Sequence, residues 1–352
     1  MIRLAVIGAG YWGRNLVRNY HELGALQLVC ETDAGLVMFD CGLHSDADSV
    51  HGAVRSRFDA PLHTVVFPDV PVVDSVAATL ADPRIDAVAI ATPAATHGAL
   101  VAQALAAGKH VFVEKPLCLD LAEARALAAE AGRRERVLMV GHMLLYHPAF
   151  IALKRAVESG WLGDLRYLYS MRLSLGKIRR EENALWSFAP HDVSMILALT
   201  GRMPTRVAAH GEAYLTDGVA DTSLSHLTFT DRLQAHIFVS WLNPYKDQRL
   251  VVVGSAGMVV FNDVAQGADK LLFYRHEVGW SGDIPTVAKA DAEAIPYEPA
   301  EPLRRECEHF LDCVMHGRRP VSDAQEGIRV LTVLDACQRS LIGGYPVEVP
   351  AP

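Results

Sequence analysis

The six cysteines, at positions 30, 41, 118, 307, 313 and 337, form no CxxC pair and no metal-ligand spacing. They read as reduced, mostly buried thiols, which leaves no disulfide framework to infer. The 15 histidines contain no HExxH motif and no closely matched ligand set, so no metal site is expected. No uninterrupted apolar run reaches the roughly 20 residues that span a bilayer, and no membrane partner is expected. The chain opens directly on an apolar run with no basic segment or cleavage site before it, which reads as cytoplasmic. Basic residues are not in excess either. A formal charge of −8 argues against a general nucleic-acid binder, which needs a basic face. Internal repeats and low-complexity linkers are absent too.

What the chain does have begins at once. The apolar run from Ile2 to Ile7 leads into Gly8-Ala9-Gly10-Tyr11-Trp12-Gly13, then a helical stretch from Arg14 to Leu23, then a second apolar run, Leu26 to Cys30, closing on Glu31. Strand, glycine-rich turn, helix, strand and acid is the order of a dinucleotide-binding βαβ unit. Glycine serves there to make the tight turn, to let backbone N–H groups approach the pyrophosphate, and to allow helix and strand to pack closely. Gly8, Gly10 and Gly13 stand at those places, with Tyr11 and Trp12 in the same turn. Glu31 is placed to accept hydrogen bonds from the adenosine ribose and to repel a 2′-phosphate, which favours NAD over NADP. Asp33 either shares the ribose or caps a helix starting near Ala34.

A chain of 352 residues accommodates a nucleotide-binding half and a second domain of similar size. After the first unit, Gly35 to Pro61 reads as helix and surface loop, Thr64 to Phe67 as a short strand, and Val72 to Ala81 as a helix. Strands are expected over Ile85 to Ala91, Val111 to Val113 and Val137 to Val140, with helices from Thr96 to Ala107 and Leu121 to Ala131. Strand and helix alternate through residue 141. Beyond it, after a helix from Pro148 to Ser159, strands follow one another at Leu165–Leu175, Arg206–Tyr214, Thr222–Thr230, Leu233–Trp241, Leu250–Gly254 and Gly257–Asn262. A helix from Ala189 to Leu199 interrupts them, and helices near Leu303–Met315 and Asp323–Leu341 close the chain. The fold class is therefore α/β: a doubly wound parallel Rossmann sheet over residues 1–141, then an α+β domain over 142–352 with a large, mainly antiparallel open sheet. Such a sheet needs its outer face covered; where helices do not cover it another subunit must, which predicts a homo-oligomer, dimer or tetramer, through the C-terminal sheet.

Ligands of an open α/β sheet bind beyond the carboxyl ends of its strands, so the residues just after each strand are the candidates. Thr92, Pro93 and His97 follow one strand, and Glu114-Lys115-Pro116 another. Thr92-Pro93 is either a stiff turn beside the cofactor or a helix-initiating turn, and His97 is equally suited to capping. Lys115, fixed between a strand and a proline, fits a cation near the nicotinamide that binds a substrate hydroxyl or polarises a carbonyl, the alternative being a structural Lys–Glu pair. His191 follows Pro190 and is expected in a helix's first turn, where it can exchange a proton with a sugar hydroxyl or pack against Trp186 and Phe188. Asp192 can orient that ring or favour the helix dipole. Arg172, Lys177, Arg179 and Arg180 form a cationic stretch that can clamp a diphosphate, with Asn183 and Trp186 available to sugar. Balanced by Glu181 and Glu182, the same stretch can instead be a solvated loop.

GAGYWG, ATPAATH, EKP at Glu114 to Pro116 and VGHMLLYHPAF together resemble the Gfo/Idh/MocA family of sugar and inositol oxidoreductases, over essentially the whole chain. The resemblance implies Lys115 as the catalytic lysine, His191 as its acid/base partner, and Pro93 and His97 near the cofactor. The broad family pattern has aspartates four residues before and three after the histidine, where this chain has Ser187 and Ser194. LGKIRREENALWSFAPHDVS is similar instead to the nucleotide-sugar branch of UDP-N-acetylglucosamine and UDP-N-acetylglucosaminuronate 3-dehydrogenases. That similarity implies NAD-dependent oxidation at C3 of a UDP-sugar in surface-polysaccharide synthesis. The alternatives are an inositol or free-sugar dehydrogenase, a ketosugar reductase, or a non-catalytic dinucleotide-sensing regulator.

Overall fold

A computed structural model describes residues 1–31, 67, 69–176 and 178–350. The chain forms two compact units: Met1–Glu114 with Ala126–Met139 and Cys307–Pro320, and Lys115–Arg125 with Val140–Glu306 and Val321–Pro352. Short segments are exchanged along the chain: 115–125 belongs with the second unit, and 126–139 and 307–320 with the first. Segment 307–320 returns to the first unit because Phe310 packs edge-on against Phe112, ring centroids 5.9 Å apart.

The first unit holds β1 (Leu4–Ile7), α1 (Gly13–Glu22), β2 (Leu26–Cys30), β3 (Val72–Val73), α2 (Val76–Ala81), β4 (Ala87–Ile90), α3 (His97–Ala106) and β5 (His110–Glu114). β6 (Leu138–Gly141) completes a six-stranded sheet in the order β3-β2-β1-β4-β5-β6. Every residue of β1 and β4 is buried, as expected where helices cover both faces of a parallel sheet. The order reverses between β1 and β4, which sets the ligand crevice at the carboxyl ends of that pair. The helix expected over Val72–Ala81 is divided. Val72 and Val73, both β-branched, pair with β2, and Ser75 caps a shorter helix by accepting from the Ala78 N–H at 3.2 Å. The helix and loop over Gly35–Pro61, the strand over Thr64–Phe67 (save Phe67, which is in no strand) and the candidates Asp33 and Lys177 lie outside the described residues.

In the second unit, α5 (Pro148–Glu158), α6 (Ala184–Thr200) and α8 (Ala324–Gly343) accompany a nine-stranded sheet. Its strands are β7 (Leu165–Leu175), β8 (Arg206–Glu212), β9 (Thr222–Thr228), β10 (Gln234–Ser240), β11 (Leu242–Gly254), β12 (Gly257–Asn262), β13 (Leu271–Ser281), β14 (Ile284–Ala294) and β15 (Val347–Glu348). The order is β14-β13-β12-β11-β7-β10-β9-β8-β15, and the β7–β10 pair is parallel within an otherwise antiparallel sheet. Alternation sorts the faces: Ala235, Ile237 and Val239 of β10 are buried toward α6, while Phe238 and its β9 neighbour Leu224 are exposed. The β13–β14 ribbon was not expected from the sequence. α4 (Leu121–Arg133) and α7 (Pro302–His316) each run from one unit into the other. No described helix is long and apolar enough to cross a membrane.

Candidate active site

The glycine-rich turn joins β1 to α1, and its three glycines do three different things. Gly8 has φ +90°, and an added Cβ would lie 2.9 Å from Ala91 C. At Gly13 a Cβ would sit 2.0 Å from the Gly8 carbonyl oxygen, so only glycine lets α1 start this close to β1. Gly10 has nothing within 4 Å of that position. Its backbone is thus open to a ligand, and no side chain caps α1. An open backbone at the switch point, at an uncapped helix N-terminus, fits the pyrophosphate of a dinucleotide.

Around this turn, Glu31 Oε2 accepts from the Ala9 N–H at 2.7 Å, which holds the carboxylate at the turn. The Trp12 indole N–H donates to Glu114, so those two candidates tie the turn to the end of β5. Tyr11 is exposed, with the Arg14 guanidinium 5.0 Å from its ring centroid. Thr92 Oγ1 and Thr96 Oγ1 share a hydrogen bond of 2.7 Å, and Thr96 donates to the Pro93 carbonyl at 2.8 Å. His97 is buried and its Nε2 lies 2.8 Å from the Thr92 carbonyl. A carbonyl only accepts, so Nε2 carries the proton and His97 is a strut beneath the turn.

In the second unit, α6 begins at Ala184, five residues before the expected start. Asn183 is its cap, accepting from the Trp186 N–H at 3.2 Å. Pro190 is therefore inside the helix, and His191 is in its interior turns instead of at its N-terminus. Proline has no N–H, so the Trp186 carbonyl loses its i+4 donor and the turn is loosened. Beside it, Lys115 Nζ donates to the Ser187 carbonyl at 2.9 Å. Ser194 Oγ donates to the His191 carbonyl at 2.9 Å. Ser187 thus meets Lys115 through its own backbone carbonyl, whereas Ser194 meets the backbone of His191 through its hydroxyl.

His191 is held neutral. Burial pushes its pKa well below the ordinary value, and the charges of Lys115, Arg172 and His142 push the same way. Its Nδ1 is buried without a hydrogen-bond partner among the described residues. A lysine ammonium beside a neutral imidazole can hold an alcohol oxygen and accept its proton.

Several expected substrate contacts are turned inward. Asp192 does not orient His191: it is fully buried, accepts from Arg172 Nε at 2.8 Å, and shares a hydrogen bond with Ser170. Arg172 is likewise buried by that pairing and is not a diphosphate clamp. Asn183 Nδ2 and Trp186 Nε1 both donate to Gln338 Oε1, at 2.8 and 3.0 Å, which fastens α6 to α8. Arg179 pairs with Glu182 at 3.0 Å, and Arg180 is exposed. One couple escaped the sequence reading: His142, just past β6, lies 2.5 Å from Glu326 in the first turn of α8. His142 stood in the sequence within VGHMLLYHPAF, just past the end of the strand expected over Val137 to Val140, with no role assigned to it.

The first unit thus carries a turn suited to a dinucleotide, and the second carries a lysine and a buried histidine suited to a hydroxyl. The family model described as "Oxidoreductase family, NAD-binding Rossmann fold" matches residues 2–142, and the GFO/IDH/MocA C-terminal domain matches residues 150–260. The chain belongs to the Gfo/Idh/MocA family of NAD-binding oxidoreductases. It is 31% identical to the UDP-N-acetylglucosamine 3-dehydrogenase of Acidithiobacillus ferrooxidans over 94% of each chain. It is 29% identical to the scyllo-inositol 2-dehydrogenase (NAD(+)) of Bacillus subtilis, over 77% of this chain and 79% of that one. A solved structure of the Acidithiobacillus enzyme superposes with a TM-score of 0.77 at 28% identity, covering 97% of this chain and 98% of that chain. These relatives are named dehydrogenases, which sets aside the non-catalytic regulator. NAD is the family's cofactor, and the Gly8–Gly13 turn with Glu31 would hold it.

Proposed function

We propose that this enzyme oxidises a ring hydroxyl of a UDP-sugar, at C3 of a UDP-N-acetylhexosamine or its uronate, in nucleotide-sugar synthesis for surface polysaccharide. The carrying observation is that Lys115 Nζ is bonded to the Ser187 carbonyl one helical turn before His191, whose buried Nδ1 has no hydrogen-bond partner among the described residues. Lys115 donates to the hydroxyl oxygen and steadies negative charge as it develops, and His191 takes the proton while the carbon loses hydride. NAD supplies the hydride acceptor; the protein supplies orientation and the proton path. Similarity to the UDP-N-acetylglucosamine 3-dehydrogenase supports the substrate class, with Arg179, Arg180 and Lys177 as the cations for its diphosphate.

A second reading, oxidation of an inositol, is favoured by one observation: Arg172 is spent inside the unit on Asp192, which leaves fewer cations for a diphosphate. Absorbance of NADH at fixed NAD across UDP-N-acetylglucosamine, its uronate and the inositols separates the two. Turnover with inositols alone refutes the nucleotide-sugar reading. A homo-oligomer, dimer or tetramer, is part of the proposal, supported by Tyr167, Leu224 and Phe238 exposed on strands β7, β9 and β10. Light scattering at micromolar concentration tests it.

A further inference from the structure

His142 and Glu326 are a buried couple that the proposed reaction leaves unused. The His142 side chain is 1% exposed and Glu326 14%. Several contacts are arranged to bring them together. The Val140 N–H donates to the Ser322 carbonyl at 2.8 Å, and Tyr146 OH and Ser322 Oγ are 2.9 Å apart. Asp323 caps α8 by accepting from the Glu326 N–H at 2.8 Å. A Cβ at Gly327 would lie 2.8 Å from Val140 Cγ2 and 3.7 Å from Leu117 Cβ, so glycine there lets the first turn of α8 approach both the end of β6 and the segment after Lys115.

The turn that follows His142 packs on α6, the helix of His191. Glu326 reaches His142 from α8, and His142 is near enough to His191 for the two rings to interact electrostatically. Lys115 and Arg172 act on His191 as neighbouring charges, and Glu306 and Glu326 act on Tyr146. With Nδ1 bonded to a carboxylate, Nε2 is the His142 ring atom left to exchange a proton. Glu326 Oε1 is buried with no hydrogen-bond partner among the described residues, as is His191 Nδ1. Burying a carboxylate and an imidazole without full pairing is costly and calls for an explanation.

The chemistry supplies one. Once His191 has taken the hydroxyl proton it is a cation facing Lys115 and Arg172, an arrangement that repels the charge it has just acquired. The proton has to leave before the next turnover.

We propose that His142, backed by Glu326, receives the proton that His191 takes from the substrate and is the way that proton leaves the site. The inference rests on the reading of His191 above. In balance, the C–H bond yields hydride to NAD and the O–H bond yields its proton to His191. That proton passes to His142, where the Glu326 carboxylate stabilises the imidazolium, and then to solvent. His142 is a positioning residue that acts through His191.

The test uses the full chain with NAD and UDP-N-acetylglucosamine. His142→Gln should lower kcat at least about tenfold, within the range of lost proton-transfer assistance, while KM stays within about twofold. Its solvent deuterium isotope effect on kcat should rise. Glu326→Gln keeps an acceptor for Nδ1 and removes the charge, so it should fold normally and show the same isotope effect with a smaller loss. An unchanged isotope effect in both variants, or equal losses with a lowered Tm in Glu326→Gln, would overturn the route. A second readout needs no turnover: ¹⁵N NMR should show His191 titrating in two coupled steps in the wild type and in one step in His142→Gln. A single step in both overturns the route as well. If the wild type oxidises no UDP-sugar or inositol, the proposed function fails by itself and the NMR titration still decides the proton route.

Discussion

The Lys115 ammonium is held by the main-chain carbonyl of Ser187, 2.9 Å away and one helical turn before His191. Lys115→Met and His191→Asn should each lower kcat by about 10² to 10⁴ while NADH binding, read by fluorescence titration, stays intact. Ser187→Ala should keep most of the activity, because the anchor is backbone. Loss of NADH binding in both of the first two variants would mean that the site is misassigned.

Gly10 and Gly13 should fail in different ways. Gly10→Ala meets nothing within 4 Å, so Tm should hold while NAD affinity collapses as the methyl group blocks the backbone. Gly13→Ala meets the Gly8 carbonyl oxygen at 2.0 Å and should unfold the first unit at a lower temperature. Calorimetry with and without NAD separates the two outcomes.

Glu31→Ala removes the carboxylate that accepts from the Ala9 N–H. NAD binding should weaken by about 1.4 kcal/mol, roughly tenfold, and discrimination against NADP should shrink. Isothermal titration with both dinucleotides checks this, and an unchanged ratio would remove Glu31 from cofactor choice.

The buried Arg172–Asp192 pair should be far more sensitive to losing one member than both. Asp192→Leu alone should destabilise by about 3–5 kcal/mol through the uncompensated guanidinium, whereas Arg172→Met with Asp192→Leu should recover most of it. Urea melts in a double-mutant cycle measure the coupling.

Mild acid should already weaken the fold. His147 is pushed down to about 4, chiefly by burial, so the unfolded chain binds its proton first. Stability should therefore fall as pH drops from about 6.5, the unfolded value, toward 4. His191, also depressed, adds to the same slope. His147 caps α5 through Nδ1, and His147→Asn keeps a cap while flattening that part of the pH–Tm curve.

Local pattern made much of this fold legible. β7 and β12 fall where their apolar alternation and bounding turns put them, and the glycine turn carries its own chemistry. What escaped depended on distant partners. Every residue of β14 is exposed, so Ile284–Ala294 has no apolar alternation, and the two-residue turn at Gly282-Asp283 was the available hairpin signal. The start of α6 was missed because Pro190 was taken as a first-turn residue, when Asn183 was the cap. Arg172 looked available because its partner is 20 residues on, and His142 went unremarked because Glu326 is 184 residues on.

The main-chain anchor of Lys115 on α6 bears on how such an enzyme can change. A lysine steadied by a side chain is lost when that side chain mutates; a lysine steadied by a peptide oxygen is not. Position 187 can exchange residues without releasing Lys115, and the surface around His191 can be rebuilt for new sugars while the reaction itself is retained. Backbone anchoring makes the chemistry heritable independently of the specificity.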